Sequence, residues 1–477
     1  MERPLAWRPV GAVSAALVAL LPALSPRYGY HRDELYFRVL AEHPGWGYVD
    51  QPPFTPMAAR VSMALFGDSP AALRVLPALA MAALVVLTAL IARELGGGRA
   101  AQTLAAAGTA TGAYVLIAGH TLLTVSFDLP FWAAAILFTL RALLRGGRWW
   151  LAAGAVIGAA TYNKLLIAML VLALAAGVLA AGPRRLLMSR WLWAGALVAV
   201  VVALPNLLYQ LTHDLPQLKM AAALGENKGG EMRVLFAPMQ LLLFGPVVAV
   251  IGGFGFVRLW RDRRVRALAV AYPAAAALTL VSGGRFDYTA GLILLLFAAG
   301  CVTAEAAGRD KIRSAGWSLA LGGAGNAVIA LPLVPLAVLG STPVPMINEV
   351  ARESVGWPAL NAAVTGVLDA LPPDERRRAV VVTANYGEHG SLSQAGLTRV
   401  YSGHNQLWEY GPPPADGDPA ILVNAGLMSG EFSSCEVRAT VDNGLGVENE
   451  EQGVPVFLCR GLRQPWSATW DRWRHFN

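Results

Sequence analysis

Charge is what this sequence has least of: Asp, Glu, Lys and Arg together make up 14% of its 477 residues, where ordinary soluble domains carry about a quarter. With 55% hydrophobic residues and a mean hydropathy of +0.48, an ordinary soluble domain is excluded and a membrane protein is implied. Cysteine is scarce too. Of three, Cys301 falls in an apolar run and reads as packing, while Cys435 and Cys459 fall in the more polar last third, where a disulfide between them is expected. Neither cysteine nor histidine recurs at zinc-ligand intervals. The net charge of +7 is not a nucleic-acid footprint, because the cations cluster between apolar runs, where membrane orientation accounts for them.

What is present in quantity is apolar sequence in runs near the roughly 20 residues that a spanning helix needs. About eleven spans are expected, at 10–25, 75–92, 100–119, 121–140, 149–163, 165–182, 191–210, 234–257, 267–284, 288–304 and 315–340. The first reads as an anchor, since it lacks a clear small-residue cleavage site. The expected fold class is a polytopic α-helical membrane domain, 1–341, with a first outer loop at 26–74, followed by a soluble α/β domain at 342–477. Alternate loops carry the cations, from Arg93 and Arg99 through Arg258 to Arg266 and on to Arg309, Lys311 and Arg313, and these read as cytoplasmic. That places the N-terminus inside a plasma membrane, with the first loop and the C-terminal domain outside. It also requires Asn163 and Lys164 to form an outer turn between two short spans.

The outer loop "GYHRDELYFRVL" holds Asp33 and Glu34 side by side at the bilayer edge. A carboxylate there suits acid/base work on a hydroxyl, because partial desolvation is expected to raise its pKa. A charge pair with Arg32, or a helix start at Asp33, is the alternative. Helical spacing over Glu34–Ala41 and Met57–Phe66, broken by "DQPPF", suggests helices lying along the interface. Asp128 in "TVSFDLPFW" sits at the outer start of a span, where ionisable residues are costly and usually face a polar cavity. The segment "QLTHDLPQLKMAAALGENKGGEMR" adds His213 and several cations, with its "GENKGG" expected to be mobile, and "SGGRFDY" adds Arg285. Carboxylates and cations on one membrane face fit transfer from a phosphate-linked lipid: the first take a proton from the attacking hydroxyl, the second hold the leaving phosphate. The sequence leaves open whether a divalent metal ion shares this task.

The order of "HRDELYF", "GYVDQPPFTPM", "FGDSPAALRVLPAL", "SFDLPFW", "TYNKLLIAML", "LYQLTHDLPQLKM" and "SGGRFDY" resembles the polytopic GT-C glycosyltransferases that use polyprenyl-phosphate sugars. The likeness is to glycosyltransferase family 39 in the broad sense, near bacterial homologues of protein O-mannosyltransferases and the aminoarabinose transferase, and it covers roughly residues 25 to 305. It implies inverting transfer from a polyprenyl-phosphate-linked sugar donor to an extracytoplasmic acceptor hydroxyl, with no nucleic acid involved. Asp33 would be the general base, with Glu34 beside it. Asp128 would line the cavity, and Lys164 and Arg285 would meet the lipid phosphate. One position departs from the pattern: after Asp50, where relatives commonly carry a basic or imidazole residue, this chain has Gln51, which cannot neutralise a phosphate. His31, Arg32 or Arg285 would then substitute.

In the last third, "RRRAVVVTANYGEHGSLSQAGL" reads as a strand at Ala379–Thr383, a loop, and a short helix near Leu392–Leu397, with further strands in "AILVNAG" and "VPVFLC". Ligands favour the C-terminal ends of such strands. The loops there offer Asn385, Tyr386, Glu388 and His389, then His404 and Trp408, as acceptor or sugar contacts, with anchoring of the domain to the membrane-side loops as the alternative. Two rival readings remain at this level: a transporter or flippase, against which no internal repeat is found, and a non-catalytic binder of lipid-linked sugar.

Overall fold

The structure, a computed structural model, describes residues 3–476. Its first two thirds form a helical domain in which every expected span is helical, although several differ in extent. Among the described residues five helices are long and apolar enough to cross a membrane: Trp7–Leu24, Pro70–Glu94, Val125–Arg145, Arg190–Thr212 and Phe286–Ala306. Shorter apolar helices occupy Trp149–Ala160, Ile167–Ala181 and Arg266–Ser282. Two expected spans are broken. The 100–119 run splits into Arg99–Ala110 and Ala113–His120, and the 234–257 run bends by 87° between Leu242 and Pro246, where Gly245 takes φ +98°, a conformation glycine adopts without strain. The run expected at 315–340 is a helix only to Ala330, because Leu331 turns extended before Pro332.

Small residues let these helices touch backbone to backbone. A Cβ on Gly255 would lie 1.8 Å from the Leu296 carbonyl, and one on Gly300 would lie 1.9 Å from that of Ile251, so helices Pro246–Arg261 and Ala290–Ala306 meet through two glycines. Gly255→Val is therefore expected to overpack this seam and cost about 1–3 kcal/mol or more. A melting temperature in detergent equal to that of the native chain would contradict this contact.

"GENKGG", expected to be mobile, lies instead within one helix, Pro216–Leu242. Two of its glycines pack closely on the turn at Ser282 and Gly283: a Cβ on Gly225 would lie 3.1 Å from the Ser282 carbonyl, and one on Gly229 would lie 3.3 Å from Gly283. The first outer loop forms two helices, Arg32–Glu42 and Phe54–Phe66, each somewhat longer than its apolar spacing suggested.

The C-terminal domain holds a five-stranded sheet of β1 (Val380–Thr383), β2 (Val400–Ser402), β3 (Ala420–Val423), β4 (Phe432–Thr440) and β5 (Pro455–Leu462), in the order β2-β1-β3-β5-β4. β1 is parallel to β2 and β3, whereas β5 runs antiparallel to β3 and β4. Cys435 and Cys459 face each other across β4 and β5 and are disulfide-bonded. The helix after β1 runs Tyr386–Gln394, starting six residues earlier than the sequence suggests, because Asn385 and Glu388 form a capping box.

Candidate active site

Helix Arg32–Glu42 begins at a cap that fixes its first turn. The His31 ring accepts a hydrogen bond from the Asp33 amide at 3.2 Å, and Glu34 Oε2 accepts from the His31 amide at 2.8 Å. Neighbours on a helix point about 100° apart, so the two carboxylates cannot share a site. Glu34 turns inward and is fully buried. It pairs with buried Arg74 through Nε at 2.9 Å and Nη2 at 2.7 Å, and accepts from the Leu122 amide at 2.9 Å. Its acceptor positions are thus taken by four protein donors.

Asp33 turns the other way and is partly exposed. Its Oδ1 accepts a hydrogen bond from the Tyr386 hydroxyl at 2.8 Å, which comes from the C-terminal domain. Burial raises its pKa, but His31, Arg32, the Tyr386 hydrogen bond and Arg285 outweigh that and hold it below the ordinary carboxylate value. This reverses the expected upward shift: the flanking cations and the hydrogen bond win over desolvation. Arg32 is ion-paired with Glu450 and lies over the Tyr386 ring. His31 is buried, and burial lowers its pKa against the pull of the Asp33 charge.

The C-terminal ends of β1 and β2 face this helix. Tyr386 follows β1, and His404 follows β2. Their rings form part of a stack, with Tyr36 against Tyr386 at 4.5 Å between centroids, Tyr386 against His404 at 4.7 Å and His404 against His475 at 4.8 Å. Asp50 joins from the same outer loop: Asn405 donates to its Oδ2 at 3.3 Å, and burial pushes its pKa up to about 6. Asp50 Oδ1, Asn405 Oδ1 and His404 Nε2 are buried without a hydrogen-bond partner, leaving unmet polar capacity close to Asp33.

A second group lies at the ends of the membrane helices. Arg285 Nε bonds Asp287 Oδ1 at 3.1 Å, and Asp287 also accepts from the Tyr114 hydroxyl. Lys164, on the turn between Trp149–Ala160 and Ile167–Ala181, lies over the Tyr288 ring at 4.9 Å and acts electrostatically on both Asp128 and Asp287. Asp128 is buried with Oδ1 unpartnered. The turn is held through Asn163: Thr55 of helix Phe54–Phe66 donates to Asn163 Oδ1 at 3.0 Å, and Asn163 Nδ2 donates to the Thr124 carbonyl at 2.9 Å. Arg285 is half-exposed, and its charge acts on Asp33.

Other candidates fall elsewhere. Gln51 is buried, and its carbonyl accepts from the Tyr48 amide at 2.9 Å. His213 is exposed and stacks on Tyr209 at the end of helix Arg190–Thr212. Asn385 and Glu388 form the capping box, which uses Glu388 Oε2 and leaves Oε1 buried without a partner, and burial pushes Glu388 up to about 8. His389 is kept neutral by burial, with a pKa near 4. Trp408 is no open sugar platform: it exchanges hydrogen bonds with Trp470, at 3.0 and 3.1 Å, and Arg474 covers its ring at 4.2 Å. Among the described residues no group of three His, Cys, Asp or Glu could hold a metal ion. Sequence reading missed Asp287, which stands two residues after Arg285 in a motif already singled out, and Arg74, Tyr36 and Glu450, which gave no local signal.

The structure superposes on the crystal structure of ArnT from Cupriavidus metallidurans bound to undecaprenyl phosphate with a TM-score of 0.62, covering 94% of this chain and 97% of that chain at 16% identity. The chain has the GT-C fold. The apo state of the same ArnT gives 0.59 over the same shares, also at 16% identity. The arabinofuranosyltransferase AftD from Mycobacteria gives 0.53 at 12% identity, covering 96% of this chain and 40% of that one. Residues 50–209 match the family model described as dolichyl-phosphate-mannose-protein mannosyltransferase. No curated protein sequence matches the chain. Within this GT-C fold, Asp33 lies before the matched segment, whereas Asp50, Asp128 and Lys164 lie inside it.

Proposed function

We propose that the chain is an inverting glycosyltransferase that moves a sugar from a polyprenyl-phosphate donor to an acceptor hydroxyl on the outer face of the plasma membrane. The observation that carries this reading is the partly exposed carboxylate of Asp33, held by the Tyr386 hydroxyl at 2.8 Å, with the charge of Arg285 acting on it. The GT-C fold and the mannosyltransferase-type segment at 50–209 support it, as does the undecaprenyl phosphate bound to ArnT.

Asp33 takes the proton of the acceptor hydroxyl as its oxygen forms a bond to the anomeric carbon from the face opposite the phosphate. The bond from that carbon to the phosphate oxygen breaks, and the polyprenyl phosphate leaves with the electron pair. Arg285 and Lys164 offset the charge that develops on the departing phosphate. No covalent intermediate with the protein forms. The anomeric configuration therefore inverts once.

The test is transfer from radiolabelled polyprenyl-phosphate sugars by membranes containing the chain, with the anomeric configuration of the product read by NMR. A product inverted relative to the donor is expected. A retained configuration would overturn the single-displacement step, and absence of transfer across a panel of donors would overturn the enzyme reading.

A further inference from the structure

The transfer site proposed above rests on Asp33 as its base, and the most direct contact to that residue comes from a separate domain. We propose that Tyr386 is a positioning residue: it holds the Asp33 carboxylate by Oδ1 so that Oδ2 faces the acceptor, and the C-terminal domain thereby completes a site that the membrane domain leaves unfinished. This inference deepens the glycosyltransferase reading and depends on it.

Three sets of contacts fix Tyr386 in place. First, its helix is pressed onto the loop helix through glycines. A Cβ on Gly390 would lie 2.7 Å from the Leu35 carbonyl, and one on Gly387 would lie 2.9 Å from Arg32 Cβ, so only glycine admits this approach. Second, the N-terminus of that helix is clamped: Glu388 Oε2 accepts from the Ala384 and Asn385 amides at 3.0 and 3.1 Å, and the Tyr386 amide donates to His404 Nδ1 at 3.2 Å. Third, the ring is sandwiched between Tyr36 of the membrane domain and His404 of the sheet. Further ties across the same seam are the Trp357 indole donating to the Tyr30 carbonyl at 2.8 Å, the Gln406 amide donating to the Tyr36 hydroxyl at 3.2 Å, and the Arg32–Glu450 pair.

A carboxylate on a short side chain has one main freedom, rotation about its terminal bond. A donor on Oδ1 removes it. The other oxygen, Oδ2, has the His31 ring nitrogen at 4.0 Å, which leaves it able to accept from a substrate. The Tyr386 phenol itself stays protonated, since burial and then the Asp33 charge raise its pKa well above the ordinary value, so it acts as a donor throughout the working pH range. The groups facing Asp33 are His31 and Arg32 on its own element, Arg285 on the turn before Phe286–Ala306, Asp50 on the outer loop, and Tyr386 and His404 on the C-terminal domain. Glu450 is neutralised by Arg32.

Tyr386→Phe keeps the ring and its stack while deleting the donor. The ionised form of Asp33 then loses a stabilising hydrogen bond, so its pKa rises, and the acid limb of the pH–rate profile is expected to move up by about half a unit to one unit. Turnover at neutral pH should fall about three- to tenfold with KM nearly unchanged, because the base is misaligned and substrate contacts are not lost. A readout independent of transfer is labelling of Asp33 by a carbodiimide, which reacts with the protonated carboxyl, followed by peptide mass spectrometry across pH. Its midpoint should rise in Tyr386→Phe, and also in Gly390→Val, which wedges the domain away from Leu35. Unmoved labelling midpoints in both variants would overturn the inference even if transfer proceeds. Moved midpoints in a chain with no transfer activity would uphold the grip of Tyr386 on Asp33 and overturn the reaction assigned to it.

Discussion

Replacing Asp33 by Asn is expected to lower kcat about 10²- to 10⁴-fold, the range typical of a lost general base, without loss of folded protein. The amide is nearly isosteric, its carbonyl oxygen can still accept from the Tyr386 hydroxyl, and the helix cap uses the Asp33 backbone and not its side chain. KM for the lipid donor should change little, because the cations assigned to the phosphate lie on other elements. The pH dependence sharpens the test. Asp33 sits below the ordinary carboxylate value, so its proton-accepting form is fully present at neutral pH and is lost only as pH falls through that lowered pKa. An acid limb near pH 6 would instead match Asp50, whose pKa burial pushes up to about 6. If the limb lies there and vanishes in Asp50→Asn while Asp33→Asn retains native turnover, the base is Asp50 and the assignment made here is wrong.

Much of the membrane domain was legible because hydropathy is a local property. Every apolar run became helical over most of its length, and the turn at Asn163 and Lys164 followed from arginine placement. Breaks inside the runs were not legible. Gly245 and the Thr111–Gly112 step sit in stretches whose average hydropathy is unaffected by a backbone that changes direction. "GENKGG" differs in another way: glycine usually marks a turn, whereas here the segment lies within a helix that packs closely on Ser282 and Gly283.

The site divides in the same way. Asp33, Asp128, Lys164 and Arg285 could be singled out because charge near a membrane segment is expensive and conspicuous. Their partners could not. Tyr386 lies 353 residues from Asp33, and Asn405 lies 355 from Asp50, and no pattern in one sequence encodes such pairings. The direction of the Asp33 shift was missed for this reason. Desolvation can be guessed from position, but the cations and the phenol that overcome it arrive only with the tertiary fold.

Arg74→Met is expected to destabilise the chain by about 3–5 kcal/mol, the cost typical of stranding one member of a buried pair. Arg74 is 1% exposed and Glu34 0%. Besides its two bonds to Glu34, the guanidinium donates to the carbonyls of Ser25 and Gly29, both at 2.8 Å, so a single side chain ties the end of the first membrane helix, the start of the outer loop and the loop helix together. Methionine fills similar space but leaves Glu34 charged in an apolar setting and two carbonyls unmet. Removing the carboxylate charge as well, in Glu34→Gln with Arg74→Met, should recover part of the loss, and the double-mutant cycle measures the coupling. The same pair separates two roles for Glu34. If it shared in the chemistry, Glu34→Gln would lose turnover while keeping the native melting temperature in detergent. If it anchors the loop that aims Asp33, as its bonds to Arg74, His31 and Leu122 indicate, stability falls first and activity falls with it, because Asp33 is held in place by the helix that Glu34 caps.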